Sequence, residues 1–389
     1  MRNKSILIIS VFGKVKEESN DRVNNLYDFS PFESKKIVTT NFSHHNKAKR
    51  VGKDIRNVDY IGVPEYNKNL SFKRIWSHWV FAIKLFFYLR DIKLKPDLIY
   101  CVLPTPTSGL IAGWYAKKHK ITFVTDIIDV WPDGLFPINS TFNRFKWLFL
   151  PWELLSAKVY RMSDFICAAN RSYASIARKY VKDIPVKHFY LGTSFDNENH
   201  QIISNPISKP LDEIWIGYGG NLGHLYDFDL MITGTLAAMQ NTSMKVRFIL
   251  VGGGVLEDEL RQKLTKLNVL PYLITGNVGY QEFMQYLEKC DICLNLFKEN
   301  ALISMSYKLY DYFACKSFVM NNLTGDADEI INEFGVGFNV NNDNFAIKLT
   351  EAIYALPNFQ IEKHEKYEMV YNLLDRKKII QSIYQFIQK

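Results

Sequence analysis

The sequence predicts two consecutive parallel α/β halves, and three observations carry that expectation. Short apolar, β-rich runs alternate throughout with segments of helical period, the pattern of parallel strands joined by crossover helices. A polar stretch with two prolines, "TSFDNENHQIISNPISKPLD" (193–212), interrupts the alternation and shows no sustained period. Beyond it the alternation restarts, now with strands running into glycines. At 389 residues the chain exceeds what a single core usually holds, so two Rossmann-like domains are expected.

In the first half the predicted strands are "SILIIS", "KIVTT", "PDLIYCV", "ITFVTDI", "DFICAA" and "KHFYL". Helical spacing covers 72–92, 108–118, 142–161 and 171–180. In the second half "IWIGYGG" leads to a helix ending near 240. "KVRFILVGGG", a helix over 256–267, "YLITGNV", a helix over 280–289 and "ICLNLF" follow. Then come "SYKLYDYFACKSFVM", "VGFNV" and helices to the end. The expected boundaries are 1–195 for the first domain, 196–212 for the linker and 213–370 for the second domain. Ile379, Ile380, Ile383, Tyr384 and Ile387 recur at helical spacing, so one face of that last helix must be covered.

Composition narrows the partners. Hydrophobic residues at 47% and charged residues at 23% describe an ordinary globular chain. A net charge of +8 favours anionic ligands. The lysines are dispersed and no nucleic-acid-binding module appears, so nucleic acid is not an expected partner. Cys290 and Cys293 form a C-x-x-C within an apolar strand, with no second Cys/His pair at zinc spacing. They read as core residues of a reduced, cytoplasmic protein, and no metal is expected. "MRNKSILIISVFG" is too short an apolar run, and lacks the cleavage pattern, to read as a signal peptide. "FKRIWSHWVFAIKLFFYLR" (72–90) and "FNRFKWLFLPWELLSAKVYR" (142–161) mix aromatics with Lys and Arg. They read as core helices with a solvated basic face, or as interfacial helices at an anionic membrane. Nothing in the sequence specifies an oligomeric state.

Three strand-glycine-helix turns in the second half are the candidate ligand loops. "YGGNLGHLYDFDLMI" (218–232) places Gly219, Gly220, Asn221 and Gly223 between a strand and a helix. Backbone N–H groups there would face an anion such as a diphosphate, and a tight structural turn is the alternative. "LVGGGVLEDEL" (250–260) opens an acidic helix and reads as structural. "TGNVGYQEF" (275–283) offers Asn277 and Val278 to a base or ribose. In "SYKLYDYFACKSFVM" (306–320), Lys308 and Asp311 stand three apart on one helical face, which in isolation is a surface ion pair.

The ordered set "IGYGGNLG", "FILVGGG", "ITGNVGYQEFMQYLEKCDICLNLF" and "SYKLYDYFACKSFVM" resembles the nucleotide-sugar half of GT-B glycosyltransferases of family 4. The resemblance is close over about 215–340 and loose before that. It implies two Rossmann-like domains facing each other across a cleft, with the C-terminal helix, 371–389, packed on the first. It also implies retaining, metal-independent sugar transfer that needs no cofactor. The donor would be a nucleoside diphosphate sugar, a UDP-sugar somewhat favoured. Asp311 then matches the acidic residue that grips the donor ribose, and Lys308 with Leu309 lines the donor site, the ammonium toward the diphosphate. The second acidic residue of many relatives, eight positions earlier, is Ile303 here, with Glu299 as its nearest substitute. Arg and Lys after the first glycine loop are replaced by Asn221 and, approximately, Tyr226. That leaves Lys298 or His224 to assist Lys308.

In the first half "FVTDIIDVWPDGLFP" (123–137) resembles the family's strand-end acidic segment. Asp129 matches its cleft-facing carboxylate, and Asp126 is the alternative one strand position earlier. Asp133 reads as a helix N-cap. Gly13, in the loop 9–25, and Asn170, after "DFICAA", fall on the acceptor side. The acceptor implied is a glycan or a lipid-linked sugar, in bacterial capsule, exopolysaccharide, O-antigen or glycoconjugate synthesis. A non-catalytic GT-B subunit partnering an active transferase is the second reading, supported by Ile303 and the missing loop cations. A sugar-nucleotide 2-epimerase is a more distant third.

Overall fold

The computed structural model describes residues 4–13, 21–44, 47–50, 56–68, 71–130, 146–194, 207–299 and 303–388. Residues 14–20 of the first loop, the Trp131-Pro132-Asp133 turn, 142–145 and 195–206 of the expected linker lie outside this set. The chain divides into two compact units, Met1–Leu191 with Arg376–Lys389, and Gly192–Asp375.

The first unit is built on a seven-stranded parallel sheet of order β5-β2-β1-β6-β7-β8-β9. Its strands are β1 (Ser5–Ser10), β2 (Ser34–Thr40), β5 (Val58–Ile61), β6 (Leu98–Leu103), β7 (Thr122–Ile127), β8 (Phe165–Ala168) and β9 (Val186–His188), with the hairpin β3 (Phe42–Ser43) and β4 (Ala48–Lys49) beside it. β6 is buried along its whole length, as a strand covered on both faces must be. The helices are α1 (Arg22–Asp28), α2 (Phe72–Asp91), α3 (Pro106–His119), α4 (Leu150–Met162) and α5 (Arg171–Arg178). α1 falls where the sequence predicts a polar loop, and its Arg22, Val23, Asn24, Asn25 and Leu26 are buried. Local pattern missed it because the buried polar residues find partners far away in sequence.

The second unit repeats the plan with a six-stranded sheet, β12-β11-β10-β13-β14-β15. The strands are β10 (Glu213–Gly219), β11 (Lys245–Val251), β12 (Tyr272–Ile274), β13 (Ile292–Asn295), β14 (Phe318–Asn321) and β15 (Gly337–Asn339). Between and after them run α6 (Phe228–Gln240), α7 (Glu257–Leu267), α8 (Tyr280–Lys289), α9 (Tyr307–Ala314), α10 (Asp326–Phe334) and α11 (Phe345–Leu374). In each sheet the strand order reverses beside the first strand. Open α/β sheets bind their ligands at the carboxyl ends of the strands at that switch point.

The last helix, α12 (Arg376–Ile387), belongs to the first unit. Tyr384 donates a hydrogen bond to the Leu26 carbonyl and packs on Phe32, while Phe386 packs on Phe165 and Phe189. α11 continues to Leu374, past the expected boundary, and the extended backbone of Asp375 ends it. Among the described residues no helix is long and apolar enough to cross a membrane.

Candidate functional site

At the switch point of the second sheet the three glycine turns interlock. Gly220 N–H donates to the Val251 carbonyl at 2.8 Å, and Leu222 N–H to the Gly253 carbonyl at 2.9 Å. Gly252 has φ +129°, and a Cβ there would lie 2.2 Å from the Gly220 oxygen, so only glycine is tolerated. A Cβ on Gly253 would stand 2.9 Å from the Asn277 side chain. The "GGG" turn therefore exists for close packing of loop on loop.

That interlocking corrects the expected anion site. Gly219 N–H donates to the Tyr312 hydroxyl (3.0 Å) and Gly223 N–H to the Asn221 carbonyl (3.0 Å). Together with Gly220 and Leu222, these amides are committed to the protein. Nor does a helix follow at once. α6 begins at Phe228, and the Asp227 carboxylate caps it by accepting from Leu230 N–H at 2.9 Å. A carboxylate already occupies the N-terminus that would have faced a phosphate.

What stands beside the turn is Lys308. It enters from the first turn of α9 and is 7% exposed. Its ammonium lies 3.3 Å from the ring centroid of Tyr226, 4.3 Å from that of Tyr218 and 5.2 Å from that of Phe297. Nζ also donates to the Tyr218 hydroxyl at 3.1 Å. Among the described residues no carboxylate forms an ion pair with it, and burial pushes its pKa well below the ordinary lysine value. A buried cation stabilised only by ring faces and one hydroxyl is undersatisfied, and an anion brought beside it would gain most of a charge-assisted bond. Gly220, at φ +131°, borders this group, since a Cβ there would stand 3.5 Å from Lys308 Cε. Tyr226 thus faces a cation supplied by another helix, at about the place where the sequence resemblance implies a basic side chain of the loop itself.

Lys308 and Asp311 do not pair. Lys308 is buried in the box, whereas Asp311 is half-buried and accepts from the Tyr280 hydroxyl at 3.1 Å. Leu309 is a core residue. Asn277 is exposed and Val278 half-buried on the neighbouring turn. Lys298 and Glu299 are exposed after β13. Lys298 is tied by its backbone N–H to the Leu225 carbonyl (3.0 Å), and Glu299 accepts from Asn342 Nδ2 (3.0 Å).

The sequence reading missed an asparagine ladder. Asn295, Asn321 and Asn339 close β13, β14 and β15 in register. Asn295 Nδ2 donates to Asn321 Oδ1 and Asn321 Nδ2 to Asn339 Oδ1, each at 2.7 Å. The Ser306 hydroxyl, at the N-cap of α9, donates to Asn295 Oδ1 at 2.7 Å. This chain of bonds fixes where α9, and hence Lys308, begins. An Asn ending each of three consecutive apolar strands was the available signal.

In the first unit Asp126 is fully buried and bidentate to Arg22 (2.8 and 3.1 Å), and it accepts from the Tyr100 hydroxyl at 2.8 Å. Arg22 also donates to the carbonyls of Phe189 and Tyr190. Burial opposes its charge, but Asp126 outweighs that and raises its pKa. Both Asp126 oxygens are used up inside the core. This carboxylate ties α1 to the sheet, and it is not available to a substrate. Asn170 is likewise occupied: it is 4% exposed and caps α5, its Oδ1 accepting from Tyr173 N–H at 2.8 Å. Gly13 packs against Val23 of α1.

Asp129 differs. It follows β7, keeps solvent exposure, and accepts from the Val130 N–H at 2.8 Å. The protein crowding its carboxyl raises its pKa, against the Val130 bond and the charge of Arg74. Among the described residues no group of three His, Cys, Asp or Glu side chains is placed to hold a metal.

No protein-family model and no curated protein sequence matches the chain. Solved structures do. HepE of Anabaena, in complex with UDP, superposes with TM-score 0.66 at 13% identity, covering 99% of each chain. Sucrose-phosphate synthase from Thermosynechococcus elongatus gives 0.67 at 12%, covering 99% of this chain and 98% of that one. The lipopolysaccharide outer core galactosyltransferase WaaB, in its apo form, gives 0.65 at 14%, covering 98% and 99%. These likenesses span the whole chain, and the fold is that of the GT-B glycosyltransferases.

Proposed function

We propose that the protein is a glycosyltransferase that moves a sugar from a nucleoside diphosphate donor to a glycan or lipid-linked acceptor. The observation that carries this reading is Lys308, a buried ammonium without a carboxylate, held on aromatic faces at the switch point of the second sheet. HepE structures hold UDP and UDP-glucose, which favours a UDP-sugar as donor. Lys308 would contact the diphosphate and gain most as negative charge grows on the leaving group, so it lowers the transition state more than the ground state. Asp311 would accept from the ribose hydroxyls. We read the reaction as retaining and metal-independent: the acceptor oxygen attacks on the face from which the diphosphate departs, and a diphosphate oxygen takes its proton. Asp129 would position the acceptor or support charge near the anomeric carbon.

The setting we infer is bacterial surface-polysaccharide synthesis at the cytoplasmic face of a membrane. α2 supports membrane contact. It buries Arg74, Ser77, His78, Phe81, Leu85 and Leu89 while leaving Phe72, Trp76, Trp79, Ile83 and Phe87 exposed at helical spacing, with Lys73, Lys84 and Arg90 beside them. A solvated basic face would not expose that aromatic stripe, whereas an interfacial helix does.

A non-catalytic subunit remains the second reading, favoured by Ile303 and by loop amides that are satisfied within the protein. Purified protein screened by thermal shift against UDP-, GDP-, ADP- and dTDP-sugars, then assayed for transfer or slow donor hydrolysis with EDTA present, separates the two. Stabilisation by one nucleotide class with EDTA-resistant turnover supports the transferase. Binding without turnover, restored only by a co-expressed transferase, supports the subunit.

A further inference from the structure

A cavity of about 260 Å³ opens in the first unit between the C-terminal parts of α2 and α3. Those parts lead straight into the amino ends of β6 and β7. The cavity therefore lies at the opposite end of the sheet from Asp129 and Asn170, which follow the carboxyl ends of β7 and β8. Phe86, Leu89, Ile111 and Trp114 form its apolar wall. Phe86 packs on Trp114 and on Phe87, each at 5.5 Å between ring centroids, and Phe87 belongs to the exposed stripe of α2. That stripe thus runs into a concave site, where a purely flat interfacial helix would have none.

Two observations specify what the cavity would hold. The first is the charge around it. Arg90, Lys93, Lys95, Lys117, Lys118 and Lys120 are exposed at this end of the unit, against Asp91 and Asp97. Asp97 accepts from the Ser5 backbone and hydroxyl, and Asp91 from Arg90 in an exposed pair of small worth. Two helix C-termini account for a basic residue or two in their last turns, and six exceed that. Lys118 lies 5.0 Å from the Trp114 ring centroid, which keeps its ammonium beside the cavity, and it forms no ion pair with the described residues. The second observation is Tyr115, a lining residue 4% exposed whose hydroxyl makes no hydrogen bond with the described residues. A buried phenol normally finds an acceptor. Burial raises its pKa, so the hydroxyl stays a neutral donor. His119 packs on Tyr115 with ring centroids 4.4 Å apart, and crowding, then the charges of Lys95 and Lys118, hold its pKa below the ordinary value. A donor without an acceptor beside an excess of cations suits an anion.

We propose that this cavity takes one acyl chain of an anionic phospholipid, with the lipid phosphate on Lys118, Arg90 and the Tyr115 hydroxyl. This deepens the membrane contact proposed for α2, on which it builds, by giving that contact a discrete ligand. Size and lining decide the class. Pockets for drug-sized ligands run to roughly 300–1,000 Å³ with convergent polar groups, so about 260 Å³ behind an apolar wall is too small for a sugar nucleotide and fits a slender aliphatic tail. Lys and Arg stems lie along apolar surface while their heads reach outward, which matches a tail inside and a phosphate at the rim. A basic surface alone attracts an anionic bilayer through its summed charge. A cavity differs, because it holds a single lipid even where there is no bilayer.

The full chain is titrated calorimetrically with dihexanoylphosphatidylglycerol kept below its micellar concentration, so that neither bilayer nor micelle is present. Dihexanoylphosphatidylcholine controls for headgroup charge, and glycerol 3-phosphate for the tail. The anionic lipid should bind at one saturable site, at least tenfold more tightly than either control. Lys118→Glu, at an exposed position, should remove the preference for the anionic lipid. Trp114→Ser, at a position 43% exposed, should weaken both lipids at least tenfold by taking away the wall. If Trp114→Ser does not fold, Lys118→Glu and the headgroup comparison still decide. The absence of a saturable site, glycerol 3-phosphate bound as tightly as the lipid, or binding indifferent to both variants overturns the cavity site. Sedimentation with anionic vesicles separates this inference from the reading it builds on. Vesicle binding without a lipid site strikes the cavity and keeps the membrane contact of α2, and a lipid site without vesicle binding does the reverse.

Discussion

Lys308→Met separates what this residue does for the fold from what it does for the donor. Methionine nearly matches its reach and keeps its contacts with Tyr218, Tyr226 and Phe297, but it carries no charge. Desolvating an ammonium costs several kcal/mol. Against this stand cation–π contacts of about 0.5–2 kcal/mol each and one hydrogen bond of about 1 kcal/mol. The free protein should therefore keep its stability or gain about 1 kcal/mol. Donor affinity should move the other way. Losing a charge-assisted bond of about 1.5–3 kcal/mol weakens UDP binding by roughly 10- to 150-fold. UDP at about 100 times the wild-type Kd stabilises wild type by about 2.7 kcal/mol, and a variant weakened about 50-fold by only about 0.6 kcal/mol. For a unit of this size, at roughly 2–4 °C per kcal/mol, the UDP-induced rise in Tm falls from about 5–11 °C to about 1–3 °C. Differential scanning calorimetry with and without UDP makes the measurement. An unchanged UDP shift, or a variant several degrees less stable without ligand, would refute the assignment and return Lys308 to the core.

The same variant carries a pH signature. Lys308 is depressed below its unfolded value of 10.5, so between the two values the unfolded chain binds more protons and stability rises with pH. The burial cost is fully present below the folded pKa, so any stability advantage of Lys308→Met should narrow as pH climbs toward 10.5, measured by urea denaturation. Asp126→Ala leaves Arg22 charged and unpaired in the core. It should destabilise the first unit by about 3–5 kcal/mol with UDP affinity unchanged, and a loss under 1 kcal/mol would contradict the buried-pair account. Asp311→Ala should cost about ten- to a hundredfold in UDP affinity in a calorimetric titration, with Tm preserved. Asp129→Asn should keep donor affinity and lower turnover more than about tenfold. Because its pKa is raised, wild-type activity should fall at acid pH through a value above 3.8, a limb the Asn variant lacks. Replacing Trp76 and Trp79 by Ser should abolish sedimentation with anionic vesicles while leaving UDP binding intact.

Periodicity and punctuation were enough to read most of the architecture. Strands such as β6 and β11 are buried on one or both faces by local composition alone, and the glycines closing β10 and β11 announce turns whose geometry other residues cannot adopt. What escaped was everything set by partners distant in sequence. α1 looked like a polar loop because Arg22 is buried through partners distant in sequence, the Asp126 carboxylate and the carbonyls of Phe189 and Tyr190. The asparagine ladder was three unremarked strand ends until register aligned them.

Residue type and spacing by themselves determined that a lysine and an aspartate would share the first turns of α9 after a glycine-rich sheet edge. Only the tertiary structure decided what each faces. Lys308 is taken into an aromatic box drawn from β10, the turn before α6 and the segment just past β13, and Asp311 accepts from Tyr280. Likewise Asp126 and Asp129 are near equivalents as sequence. The difference between a spent core carboxylate and an exposed one is made by Arg22 and Tyr100 on one side and Arg74 on the other. Charge, burial and hydrogen-bond supply are properties of the space around a side chain, and that space is assembled from residues the local sequence does not contain.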